Sequence, residues 1–188
     1  MAYTTNYTLL QRMREGGNDD AWHSFRAFYS PLIATRGRDY RLNINEIEQL
    51  IQNVMLAVHQ EHVLTNYDPA RGHFRDYLRT ITSRQATRIL EQRIPPARGM
   101  EEVPDEATLE KQWEEEWKKF LYDRALDEMK GNMDTKAYMA FELHAIQGRP
   151  ANEVARLLNL SPNQVYLVRS RGIVRLQNII ERLKRELE

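Results

Sequence analysis

Pro150-Ala151-Asn152-Glu153-Val154-Ala155-Arg156-Leu157-Leu158-Asn159-Leu160-Ser161-Pro162-Asn163-Gln164-Val165-Tyr166-Leu167-Val168-Arg169-Ser170-Arg171 is the stretch on which the fold turns. Its first part predicts a short helix opened by proline, whose missing N–H costs nothing in a first turn. Asn159 and Leu160 make a turn. Ser161 then caps a second helix, with Pro162 at its first position and Gln164 completing a capping box. Along that helix Val165, Val168, Gly172, Leu176, Ile179 and Leu183 form one apolar stripe at helical spacing. Asn163, Tyr166, Leu167 and Ser170 point the other way, flanked by Arg169, Arg171 and Arg175. A short helix followed by a basic one is the helix-turn-helix arrangement that reads duplex DNA in its major groove. An ordinary helical hairpin is the alternative.

Toward the N-terminus nearly every segment predicts helix. Asp134 caps one over 135–146. A long helix precedes it over 109–130, through Trp113, Trp117, Phe120, Leu121, Leu126 and Met129, and Gly131-Asn132 stops it. Arg93-Ile94-Pro95-Pro96-Ala97-Arg98-Gly99-Met100 breaks the pattern, and the chain stays rich in Pro, Gly and Glu to Ala107, which marks a linker. Before it stand four predicted helices. The first covers 6–15, stopped by Gly16-Gly17. The second is capped by Asp19, with Trp22, Phe25, Phe28, Leu32 and Ile33 inward and a kink or re-satisfied turn at Pro31. A loop over 36–43 leads to the third, opened by Asn45, with Ile47, Leu50, Ile51, Val54, Met55 and Val58 at core spacing. Turn chemistry over 65–72 leads to the fourth, from Phe74 to about Gln92, with Tyr77, Leu78, Ile81 and Ile89 inward. The expected fold is all-α: two small helical domains, 1–93 and 109–188, joined by an acidic linker at 94–108.

The formal charge of zero over 188 residues hides a segregation. Residues 1–100 hold 13 Lys+Arg against 10 Asp+Glu, residues 101–131 hold 5 against 11, and residues 132–188 hold 9 against 6. Basic bodies suit a polyanion, because each phosphate neutralised releases counterions. The acidic middle suits a cationic channel, restrains the basic bodies from indiscriminate DNA binding, or is simply a solvated linker. Cysteine is absent, which excludes disulfides and thiolate metal sites and fits a reducing cytoplasm. Neither a signal peptide nor a membrane-inserted segment is expected, since no apolar run approaches the roughly 20 residues a spanning helix needs.

On the fourth helix Arg75, Arg79, Thr82, Ser83 and Ala86 share one face, while Arg84 and Arg88 lie elsewhere. Tyr67, His73 and Phe74 sit just ahead. Aromatic rings beside arginines supply what unstacked bases need, a face to stack on and cations for phosphates. A core helix with a solvated basic side is the other reading.

Three segments occur in an order that carries a resemblance. They are Phe28-Tyr29-Ser30-Pro31-Leu32-Ile33, then Glu46-Ile47-Glu48-Gln49-Leu50-Ile51-Gln52-Asn53-Val54-Met55-Leu56-Ala57-Val58, then Tyr67-Asp68-Pro69-Ala70-Arg71-Gly72-His73-Phe74-Arg75-Asp76-Tyr77-Leu78. With Asn163 to Arg171 they resemble bacterial RNA polymerase sigma factors of the sigma-70 family, in the extracytoplasmic-function group that keeps only sigma domains two and four. The likeness covers about residues 8–93 and 109–187.

The resemblance implies a dissociable initiation subunit that directs core enzyme to promoters. Its third helix would bind the clamp helices of the largest subunit through Glu48, Gln49, Gln52 and Asn53. Tyr67, Arg75, Tyr77, Arg79, Ser83 and Arg84 would hold and melt the −10 element. Ser161, Asn163, Gln164, Tyr166, Leu167, Arg169, Ser170, Arg171 and Arg175 would read the −35 element as duplex. Further implied partners are the polymerase flap and an anti-sigma factor. The family often shows an acid–x–x–Gln–acid pattern on its clamp-binding helix, where this chain has Gln49-Leu50-Ile51-Gln52-Asn53. Amides keep hydrogen bonding but lose charge, and Glu46 or Glu48 would substitute. Tyr77 stands where tryptophan is frequent.

No catalytic residue and no cofactor is expected, since the polymerase supplies the chemistry. His59 and His62 share a helix, yet no third ligand accompanies them, so no metal site is expected. A stand-alone helix-turn-helix regulator and a sigma-like polymerase-binding decoy are the competing readings.

Overall fold

The computed structural model describes residues 12–13, 19–60, 73–93 and 103–187. Among them there are helices and no strands: α1 (Asp19–Asp39), α2 (Ile44–Gln60), α3 (Phe74–Glu91), α4 (Glu106–Asn132), α5 (Thr135–Phe141), α6 (Ala151–Leu158) and α7 (Pro162–Leu187). The fold is all-α. The expected helix over 6–15 lies outside the described residues except for Arg12 and Met13. No described helix is long and apolar enough to cross a membrane.

Two compact units divide inside α4, between Phe120 and Leu121. The linker reading puts that boundary at 94–108 and counts 109–120 with the second domain. Side chains explain the difference. Leu109, Trp113, Trp117 and Phe120 are buried in the first unit, and the Phe120 ring meets Phe28 edge-on at 5.2 Å. A helix whose apolar face is covered by one body belongs to that body, whatever the composition ahead of it.

The first unit packs α1, α2 and α3 together with the leading half of α4. Its core joins Phe25, Tyr29 and Ile33 of α1 to Leu50, Val54 and Val58 of α2 and Phe74, Leu78 and Ile81 of α3. α1 is longer than its sequence predicts: the expected loop at 36–43 is helical to Asp39, and Pro31 sits inside an unbroken helix. Gly37 permits this, because a Cβ there would stand 3.0 Å from Ile47 and 3.1 Å from Leu50 of α2. Arg36, expected in a loop, is buried instead. α1 ends one turn later through a Schellman arrangement, in which Leu42 N–H donates to Gly37 O at 3.0 Å and Arg41 takes a left-handed φ of 55°.

α2 opens on Asn43 rather than Asn45. Glu46 N–H donates to Asn43 Oδ1 at 3.0 Å and Asn43 N–H donates to Glu46 Oε2 at 2.7 Å, a reciprocal capping box. Arg93 grips the same carboxylate with Nε and Nη2, at 2.8 and 2.6 Å. That bidentate guanidinium, the largest cause, holds Glu46 below the usual carboxylate range.

The second unit centres on Ala140, Ala151, Val154, Ala155 and Val165, with Leu143, Leu158, Leu160 and Val168 packed against them. Asp134 caps α5, accepting from Ala137 N–H at 3.0 Å. The expected helix over 135–146 holds, but its last turn, Glu142–Ile146, widens to i→i+5 bonding, with Gln147 N–H on Glu142 O at 2.9 Å.

Candidate nucleic-acid interface

Local chemistry builds the helix-turn-helix. Pro150 is the N-cap of α6, and Asn159 closes it in the left-handed region at φ 50°. Leu160 N–H reaches back to Ala155 O at 2.9 Å, so the turn spends the last free carbonyls of α6. Ser161 and Gln164 then cap α7 reciprocally: Gln164 N–H donates to Ser161 Oγ at 3.2 Å, and Ser161 N–H donates to Gln164 Oε1 at 2.7 Å. Those oxygens are committed to the backbone, while the Gln164 amide NH₂ stays available to a ligand.

Val165, Gly172, Leu176, Ile179 and Leu183 are buried and Val168 is half-buried, as the stripe requires. Gly172 is forced by its neighbour, since a Cβ there would stand 2.6 Å from Phe141 Cε2. The opposite face is open. Tyr166 and Leu167 are 56% and 48% exposed, and Asn163, Ser170, Arg169 and Arg171 are exposed around them. The Tyr166 ring meets His144 of the widened turn edge-on at 5.5 Å. His144 in turn donates from Nδ1 to Arg149 O at 2.7 Å, so the wide turn props one edge of α7. Arg175 is exposed too, but its Nη2 donates to Asn132 O at 3.0 Å, so it also has a structural tie.

On α2 the expected polymerase-binding residues line the solvent side: Glu48, Gln49 and Gln52 are exposed and Asn53 is half-buried. Exposed Leu56 extends this row. Glu46 cannot substitute for the missing acids, because the cap and Arg93 occupy it.

The candidates on α3 fare differently. Tyr67 lies outside the described residues. Arg84 is exposed. Tyr77, expected inward, is only half-buried, its ring 6.3 Å from that of Phe74. Arg75 and Arg79 are not open cations: Arg79 Nη1 donates to Glu110 Oε1 at 2.7 Å and Arg75 Nη2 pairs with Glu114 Oε1. Ser83 Oγ accepts from Arg36 Nη2 at 3.3 Å, which gives it a scaffold role.

Arg36 is the residue that sequence reading missed. It is 3% exposed, donates from Nη1 to Leu109 O and stands 3.6 Å from Asp39. Its guanidinium lies over the rings of Tyr40 and Trp113 at 5.2 and 5.8 Å. Beside it two carboxyls face each other: burial first, then the Asp39 charge, push Glu116 up to about 8, and burial raises Asp39 as well. The pair therefore shares a proton near neutrality. In the sequence Glu106, Glu110 and Glu114 show only as a row of charge at one-turn spacing, which does not name Arg75 and Arg79 as partners.

His59 lies edge-on to Trp22 at 4.9 Å, and no group of three potential metal ligands occurs among the described residues. No family model and no curated protein matches this chain. Among solved structures, CnrH in complex with the cytosolic domain of CnrY is similar at 20% identity over 93% of this chain and 96% of that chain. The TM-score is 0.39, a likeness from which no function follows.

Proposed function

We propose that the chain is a promoter-specificity subunit of bacterial RNA polymerase, a sigma factor. It would direct core enzyme to promoters and assist opening of the −10 element, and it would perform no chemistry itself. The observation that carries this reading is the recognition helix. α7 is capped, braced and buried along one stripe, and it presents Asn163, Tyr166, Leu167 and Ser170 between arginines on an open face. That is the surface a major groove accepts. The uncharged row on α2, Gln49, Gln52 and Leu56 beside Glu48, supports docking on a protein surface rather than on DNA.

Core binding tests the reading. Glu48→Lys combined with Gln52→Ala should weaken affinity for purified core polymerase by roughly 2 kcal/mol or more, if these residues sit centrally as interface hot spots do. Unchanged affinity in a pull-down titration would remove α2 from the interface. A stand-alone regulator would instead bind its site as a dimer without polymerase.

A further inference from the structure

Arg75 and Arg79 stand one turn apart on α3, and Glu110 and Glu114 have the same spacing on α4. The four side chains form two rungs, Arg79 with Glu110 and Arg75 with Glu114. Exposure across the rungs is unequal. The Arg75 side chain is 17% exposed and lies over the Trp117 ring at 5.6 Å, whereas Glu110 is 61% exposed. The cations are set in the surface and the acids lie on top of it. A cavity of about 460 Å³ opens beside the rungs, bounded by Arg36, Tyr40, Arg79, Ser83, Glu106 and Glu110. Glu106 continues the acidic row along its rim.

We infer that Glu110 and Glu114 are an internal substitute for a nucleic-acid backbone. In the free chain they occupy the Arg75–Arg79 face, and single-stranded DNA must displace their carboxylates to reach it. The choice of DNA as the displacing polyanion rests on the function proposed above. α4 need not leave. Trp113, Trp117 and Phe120 hold it in the core, while exposed carboxylates exchange partners by rotation about their own side-chain bonds. The Arg79–Glu110 pair is exposed and therefore weak, and Glu114 keeps a solvent-facing side, so the mask discriminates rather than blocks. A polyanion that also gains stacking or duplex contacts elsewhere wins the arginines, and one that offers phosphates alone does not.

The test uses the full chain and a short fluorescein-labelled single-stranded DNA, read by anisotropy. Glu110→Gln with Glu114→Gln should tighten binding by about tenfold at low salt, and the gain should vanish at high salt as screening removes the electrostatic difference. Glu110→Gln alone, at the more exposed rung, should give part of the gain with thermal stability unchanged. Glu115→Gln, an exposed neighbour outside the rungs, should give little. Placed on Arg75→Gln with Arg79→Gln, the double glutamine change should give nothing. The mask is overturned if affinity does not change, if Glu115→Gln matches the double variant, or if the gain survives loss of both arginines. A separate measurement, core-dependent opening of a promoter by the unaltered chain, keeps the two ideas apart. Opening with no gain in DNA affinity overturns the mask alone. A gain with no response to core polymerase supports the mask and removes the sigma reading.

Discussion

At residue 172 the second unit has no room for a methyl group. Phe141 packs directly on the α7 backbone there, so Gly172→Ala must move the ring or the helix. Overpacking of this sort costs about 1–3 kcal/mol, and the melting temperature should fall accordingly. An unchanged melting temperature would mean that Phe141 swings aside freely. Glu116 makes a prediction with a sign. Its pKa stands near 8 against an ordinary 4.5, so the folded chain holds this proton more tightly than the unfolded one. Its contribution to stability is therefore intact below the ordinary value and is lost as pH rises through about 8. Asp39 faces it and opposes its ionisation, while the nearby Arg36 and Arg38 favour it. Thermal midpoints should decline from about pH 4.5 to about pH 8 and then level off, and Glu116→Gln should flatten the decline. A wild-type profile already flat would show that the carboxyl pair is solvated.

Among the elements, α7 carries the sharpest division of labour. Asn163 and Leu167 lie on the open face, and an exposed leucine there has no core to fill, which leaves contact with a thymine methyl as a use for it. Substituting either should change which bases are preferred in the −35 element, by about 1–3 kcal/mol for a strong base contact. Substituting Arg171 should weaken all sites alike and reduce the salt dependence of binding. Binding-site selection with each variant would reverse the assignment if Arg171 shifted base preference while Asn163 and Leu167 did not. The helix-turn-helix was legible in the sequence because its signals are local: a proline opening, an asparagine turn, a Ser–Gln box and an apolar stripe all fall within the elements they shape. α1 was legible only as far as its local rules reach. Pro31 and Gly37 read as breakers, yet the helix continues to Asp39. What sustains it, Arg36 bonded to Leu109 and Ser83, is supplied by residues far along the chain. The same distance hid the Arg75–Glu114 and Arg79–Glu110 rungs. Each partner was visible as a charge, but nothing in a sequence window says that α4 docks on α3.

Over the whole molecule, charge and packing divide the chain in different places. Composition puts the break at the Pro- and Gly-rich stretch after Arg93, whereas burial of Trp113, Trp117 and Phe120 extends the first unit to Phe120. The acidic segment is thus no bare tether: its leading half is a wall of the first unit, aligned with the arginines that a promoter strand would need. Basic stretches of sequence at 1–100 and 132–188, with an acidic stretch at 101–131, suit a protein that should ignore bulk DNA and act only with a partner. The most direct measurement of that claim is a selection of random DNA fragments by the purified chain, with and without purified core polymerase. Enrichment is expected only when both are present, of fragments that share two short elements at a fixed separation and open upstream of a transcript start. Enrichment of a palindromic site by the chain alone, unchanged when polymerase is added, would contradict it.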